Sequence, residues 1–110
     1  MLKRTRIESP AIRNAARGEQ CTLQIVGVCA SRTDTTVLAH LPDESHGLSR
    51  KSDDLSGCYA CAACHDVIDG RVAWPLGEKE HREWYLRRAQ TRTWRRLVEL
   101  GVISIKGGKS

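Results

Sequence analysis

The chain has 110 residues, a formal charge of +5 from 18 Lys+Arg against 13 Asp+Glu, and five cysteines but no phenylalanine. At 40% apolar and 5% aromatic content it holds at most one compact domain with a thin core, since a globule of this size buries only about two-thirds of its unfolded surface. The cysteines are too sparse for a disulfide scaffold, and nothing approaches the roughly 18 consecutive apolar residues of a membrane span, so a metal is the expected staple.

The start, Met1-Leu2-Lys3-Arg4-Thr5-Arg6, is basic, but no apolar run of about seven residues follows it as a signal peptide requires. A cytoplasmic protein is expected, in a reducing compartment where cysteines serve metals more than disulfides. One domain over 1–110 is expected, with 1–8 and 106–110 frayed. Ser9-Pro10 followed by Gly18 reads as an N-cap, a proline at the first helical position and a glycine past the end of a short helix. From Cys21 to Leu41 the β-branched residues Thr22, Ile25, Val26, Val28 and Thr35-Thr36-Val37 flank a turn-prone Ser31-Arg32-Thr33-Asp34, which predicts a hairpin or two short strands. Residues 42–57 read as a long polar loop.

Cys58-Tyr59-Ala60-Cys61 then leads into a short helix over 62–69 that Gly70 ends. After Pro75 and Gly77, the stretch 78–100 lacks Gly and Pro and predicts the longest helix, with Trp84, Tyr85, Ala89, Leu97 and Val98 available for its buried face. Trp74, Trp84 and Trp94 are expected to supply the core's bulk in a chain without Phe. Gly101 stops this helix, and Val102-Ile103-Ser104-Ile105 reads as a short strand.

Charge is segregated: residues 1–20 carry +3, residues 33–69 carry −5 and residues 79–110 carry +6. A basic frame around an acidic centre that contains the Cys/His cluster suits an enzyme that uses a metal on nucleic acid. The bland reading of Arg87, Arg88, Arg92, Arg95 and Arg96 is a solvated helix face.

Cys61-x2-Cys64 places two thiolates one turn apart, where both reach one zinc, and Cys21 with Cys29 can complete a tetrahedral set. The C-x7-C spacing upstream is wide and needs a hairpin to close. Cys58 is a rival ligand, but using it would strand Cys64 beside His65. The same Cys61–His65 run matches a c-type haem attachment pattern, which needs an exported, apolar context that is missing here. His65 and Asp69, four residues apart on a helix, share a face and can hold one divalent cation, with Asp66 in reserve. His40 ends an apolar strand that can present an imidazole opposite that helix, suited to taking a proton from water near neutral pH. His46 reads as a solvated loop residue and His81 as helix surface.

The stretch Cys21–Cys29, Leu38-Ala39-His40-Leu41 and Cys61-Ala62-Ala63-Cys64-His65 resembles the zinc-stapled layout of HNH endonucleases, the ββα-metal or His-Me finger group. More closely, Ala16-Arg17-Gly18, Cys21-Thr22-Leu23, Val37-Leu38-Ala39-His40 and Ala63 to Arg71 are similar to the small YbcO-type phage and prophage nuclease family, over about residues 10–105. The resemblance implies an α+β fold: a small zinc-stapled ββα-metal domain with a short N-terminal helix and a long C-terminal one. It implies His40 as general base, His65 and Asp69 as ligands of a catalytic Mg²⁺ or Mn²⁺, and Cys21, Cys29, Cys61 and Cys64 as structural zinc ligands.

The residue before the base, usually a metal ligand, is Ala39 here, and the central Asn is missing; Asp54 is the candidate to orient His40. The expected activity is hydrolysis of DNA phosphodiester bonds in phage or prophage recombination or processing. Single-stranded or branched DNA and a recombination protein are the expected partners. Arg50, Lys51, Arg71, Arg88 and Arg92 are candidate backbone contacts with little sequence preference. The alternative is a non-catalytic zinc module that binds nucleic acid.

Overall fold

The computed structural model describes residues 7–41 and 53–108. Helix α1 (Pro10–Ala15) begins as its sequence dictates, with Ser9 Oγ accepting the Ile12 amide at 3.2 Å and Pro10 in the first turn. Gly18 takes φ +76° just beyond its end. Strand β1 (Val37–His40) pairs antiparallel with β2 (Gly57–Ala60), with Val37 opposite Ala60 and His40 opposite Gly57. A Cβ on Gly57 would stand 2.7 Å from Leu38 Cδ1, so the close approach of the two strands requires glycine there. A 3-10 turn (Asp54–Ser56) precedes β2, and helix α2 (Ala62–Ile68) follows directly. Gly70, at φ +81°, closes α2 by donating to Val67 O at 3.1 Å. A second 3-10 turn (Lys79–His81) leads into α3 (Arg82–Glu99).

Alternation along the strands divides the core in two. Ala39, Cys58 and Ala60 face a cluster containing Cys21, Leu23, Ile25, Cys61, Cys64, Val67, Tyr85, Leu86 and Ala89. Leu38 and Tyr59 face the other way, onto Ile12, Ala16 and Leu97. Helix α3 contributes to both clusters and seals the outer edge of β2, whose peptide groups would otherwise lack partners. Thr93 Oγ1 accepts the Tyr59 amide at 3.1 Å and bonds Thr22 Oγ1 at 3.0 Å, while Tyr59 O accepts from the Thr22 amide at 2.9 Å. Gln90 donates to Gly57 O, and Trp94 Nε1 donates to Leu55 O at 3.0 Å.

Several expectations are corrected. Of the stretch 21–41 only Val37–His40 is a strand, and its partner is Gly57–Ala60, which takes the last residue of the expected loop and most of the expected lead-in to α2. Residues 21–31 instead form turns, with positive φ at Gln24, Gly27 and Ser31. Residues 102–105 are not a strand: the Val102 and Ile103 amides fold back onto Leu97 O, and both side chains pack on the Leu97 cluster. On α3 the buried residues are Tyr85, Leu86, Ala89, Thr93 and Leu97, whereas Trp84 and Trp94 are exposed. Trp74 does pack against the core. Ile7 is tied down, its amide donating to Asp53 Oδ1 and its carbonyl accepting from the Asp54 amide.

Candidate functional site

The turns of 21–31 bring Cys21 and Cys29 to the start of α2, where Cys61 is the N-cap and Cys64 lies in the first turn. The four sulfurs all lie within 4.8 Å of one another, and none is in a disulfide. Cys61 and Cys29 Sγ are 3.9 Å apart, against about 3.8 Å for the edge of a tetrahedron with Zn–S near 2.3 Å. A bond from the Cys64 thiol, and after it bonds from the amides of Cys61, Gln24 and Leu23, outweigh burial at Cys21 and hold its thiol down at about 5. The same bond, with burial, pushes Cys64 up. This donor set fits a tetrahedral ion such as zinc. Cys58 stands outside it, fully buried, its thiol pushed up to about 12 first by burial and then by Cys21.

His40, at the end of β1, places Nε2 2.7 Å from Asp54 Oδ1. Asp54 is buried in the 3-10 turn, and its other oxygen accepts from the Ser9 amide at 2.6 Å and faces Arg13 Nε at 3.2 Å. Burial alone would raise this carboxyl, but Ser9, His40 and Arg13 outweigh it and hold it below the usual range. An ionised Asp54 only accepts, so in the neutral imidazole Nε2 is the donor and Nδ1 the acceptor. Ala39 projects to the opposite face, beside Cys58; a metal-ligating side chain there would enter the cysteine-lined core.

On α2, His65 Nε2 lies 3.0 Å from Asp69 Oδ2, as the four-residue spacing predicts. Arg71 bridges the neighbouring carboxylates, with Nε 2.8 Å from Asp66 Oδ1 and Nη1 3.0 Å from Asp69 Oδ2. A cleft of about 410 Å³ brings the two halves together: His40, Leu41, Ile68, Asp69, Arg71, Arg82 and Leu86 line it. One base-competent imidazole thus shares a cavity with one candidate metal ligand and two cationic side chains.

The profile of the family described as "Putative nuclease YbcO" matches residues 10–102. The chain belongs to the YbcO family. Curated members that resemble it include "Putative nuclease YbcO" of Escherichia coli (strain K12) and "Putative nuclease ybcO" of Enterobacteria phage 82. Each is 46% identical over 62 residues, 56% of this chain and 65% of the relative; the matched stretch therefore spans just under two-thirds of these relatives. A solved structure, "Structure of a putative bacteriophage protein from Escherichia coli str. K-12 substr. MG1655", superposes with a TM-score of 0.67 at 36% identity, covering 83% of this chain and all of that one.

Other residues singled out in the sequence are dispersed within this family member. Arg50, Lys51 and His46 lie outside the described residues. Arg88 is occupied by the fold, donating to Leu23 O at 2.8 Å and stacking on Trp84 at 4.3 Å. Arg92 donates to Gln24 Oε1 at 3.0 Å. His81 is surface, beside Glu80. Sequence reasoning missed Ser9 and Arg13 as supports of Asp54, and Arg82 as a wall of the cleft. Only contacts formed across the fold connect them, since Arg13 on α1 meets Asp54 of the 3-10 turn through tertiary packing alone. Among the described residues no helix is long and apolar enough to cross a membrane.

Proposed function

We propose that this chain is a metal-dependent endonuclease of the HNH, or His-Me finger, type that hydrolyses DNA phosphodiester bonds in phage or prophage recombination or processing. The observation that carries the reading is the shared cleft: His40, oriented by buried Asp54, opens on the same cavity as Asp69. The antiparallel pair β1–β2 followed at once by α2 supports the ββα-metal assignment.

In this mechanism Asp54 holds His40 through Nε2, so that Nδ1 takes a proton from water as the water oxygen attacks phosphorus. The P–O bond to the leaving sugar oxygen breaks in line. His65 and Asp69 would hold Mg²⁺ or Mn²⁺, with Asp66 in reserve. That ion supplies neutralisation of the charge that builds on the scissile phosphate. Arg71, whose Nη1 lies 3.0 Å from Asp69 Oδ2, would have to release that carboxylate for it to serve as a ligand. Arg82 and the released Arg71 lie in the cleft to receive a phosphate. Arg50 and Lys51 are proposed as further backbone contacts. Cys21, Cys29, Cys61 and Cys64 would hold a structural zinc, which would fix both the start of α2 and the preceding turns, and so the position of His65.

The test is cleavage of single-stranded, duplex and branched DNA with Mg²⁺ or Mn²⁺ by the parent and by His40→Ala. Cutting that needs both the metal and His40 supports the reading. A folded, zinc-loaded protein that binds DNA and cuts none of these substrates would instead be a non-catalytic zinc module.

A further inference from the structure

A second cleft, of about 730 Å³, shares no lining residue with the first. It lies between residues 18–24 and the C-terminal half of α3, with Tyr59 in its wall. Tyr59 is 1% exposed, and its hydroxyl is one of only two buried side-chain polar atoms without a hydrogen-bond partner among the described residues. A buried hydroxyl left without a partner is costly, and replacing it with an apolar ring would be cheaper for folding alone. The hydroxyl feels Glu19 and Arg96, both in the wall of the same cleft, and burial followed by Glu19 pushes it up to about 12. It therefore remains a proton donor.

The charges of the lining are unequally matched. Arg96 serves both carboxylates, with Nε against Glu19 and Nη1 3.7 Å from Glu99. Arg92 reaches only the neutral Gln24, and Arg95 has no carboxylate partner among the described residues. Two guanidinium groups without a carboxylate partner among the described residues thus line the same cleft as a buried hydroxyl donor. An anion with several acceptor oxygens satisfies all three, and a phosphodiester has that chemistry.

We propose that this cleft binds a backbone phosphate of the nucleic-acid strand, with Arg92 and Arg95 on its oxygens and the Tyr59 hydroxyl donating to it. The assignment rests on the reading that the chain acts on nucleic acid, and adds a second anchor separate from the His40–Asp69 cleft. It gives the strand two points of attachment, so that binding does not depend on the cutting cleft alone.

The test is the anisotropy of a short fluorescein-labelled single-stranded DNA without added Mg²⁺ or Mn²⁺, across a salt series, beside thermal melts. Arg95→Glu is expected to weaken binding about tenfold and to reduce the salt slope by about one or more. Tyr59→Phe is expected to melt at or above the parent yet bind roughly threefold to tenfold more weakly. Inorganic phosphate should compete only weakly, and poly-glutamate less well than DNA.

The proposal is overturned if both variants bind as the parent does. It is also overturned if phosphate alone binds tightly and the strand does not displace it, or if poly-glutamate competes as well as DNA. Should Tyr59→Phe fail to fold, Arg95→Glu, on the exposed face of α3, decides alone. Failure of the two readings is distinguishable: DNA cut normally by protein whose binding ignores Tyr59 and Arg95 removes this anchor only. Binding that depends on them without any cutting removes the nuclease only.

Discussion

His40 Nε2 and Asp54 Oδ1 stand 2.7 Å apart, joining the end of β1 to a buried carboxylate that also ties down the start of α1 through Ser9 and Arg13. Asp54 therefore serves both the site and the fold. His40→Ala should keep the parent's circular dichroism and lose about a hundredfold or more in cleavage rate. Asp54→Asn should lower cleavage by about tenfold or more and also destabilise the fold by about 1–3 kcal/mol through the lost charge-assisted bonds. Equal effects of the two substitutions on stability would contradict this division.

Asp54 also sets an acid limit. Its folded-state carboxyl lies below the ordinary 3.8 because Ser9, His40 and Arg13 outweigh burial. A depressed carboxylate contributes stability above its unfolded value, and that contribution is lost as the pH falls through the lower folded value. Urea melts from neutral pH down into the range below 3.8 should show the parent losing more stability than Asp54→Asn. Parallel curves would remove Asp54 as a contributor.

The five cysteines should separate into four and one. Cys61→Ser should lose bound zinc and the cooperative melt together, because the free energy of metal binding is free energy of folding. Cys58→Ala should keep one zinc per chain and lose only about 1–2 kcal/mol from a small vacated volume. With its thiol pushed up to about 12, Cys58 should also resist thiol reagents in the native protein at neutral pH. Elemental analysis and thiol titration read both outcomes.

Thr93 holds together β2, α3 and the turn at Thr22. Thr93→Val keeps the shape but leaves the Tyr59 amide without its acceptor, since the hydroxyl that takes it at 3.1 Å is gone. A loss of about 1–3 kcal/mol is expected in denaturant melts. No change would mean that the edge of β2 is satisfied in another way.

What could be read in the sequence was what local chemistry determines. Ser9-Pro10 and Gly18 bound α1, Gly70 closes α2, and Gly101, at φ +75°, ends α3. The C-x2-C pair and the His65/Asp69 spacing likewise depend on geometry that a few residues supply, whereas Asp54 meets His40 only across the fold, 14 residues away in sequence. Sequence pattern and structure part where tertiary contacts override propensity. Ile25, Val26 and Val28 read as strand, yet this segment is wound by positive φ at Gln24 and Gly27 to bring Cys21 and Cys29 together, leaving Val26 65% exposed. Gly57–Ala60 has little strand propensity beyond Tyr59 and is a strand because β1, Thr22 and α3 take up its peptide groups. Thr93 carries no hydrophobic signal, and Trp84 is drawn out to stack with Arg88, so the α3 face could not be read from apolar spacing alone.

His40 and Asp69 line one cleft, the proposed cutting site. Single-turnover cleavage of labelled DNA by zinc-loaded protein, with Mg²⁺ or Mn²⁺ added and withheld, tests it most directly in the parent, His40→Ala and Asp69→Asn. Divalent-dependent cutting by the parent, loss of the chemical step in His40→Ala and a higher divalent requirement in Asp69→Asn are expected. Cutting by His40→Ala at the parent rate, or no cutting by a folded parent on any DNA form, would contradict it.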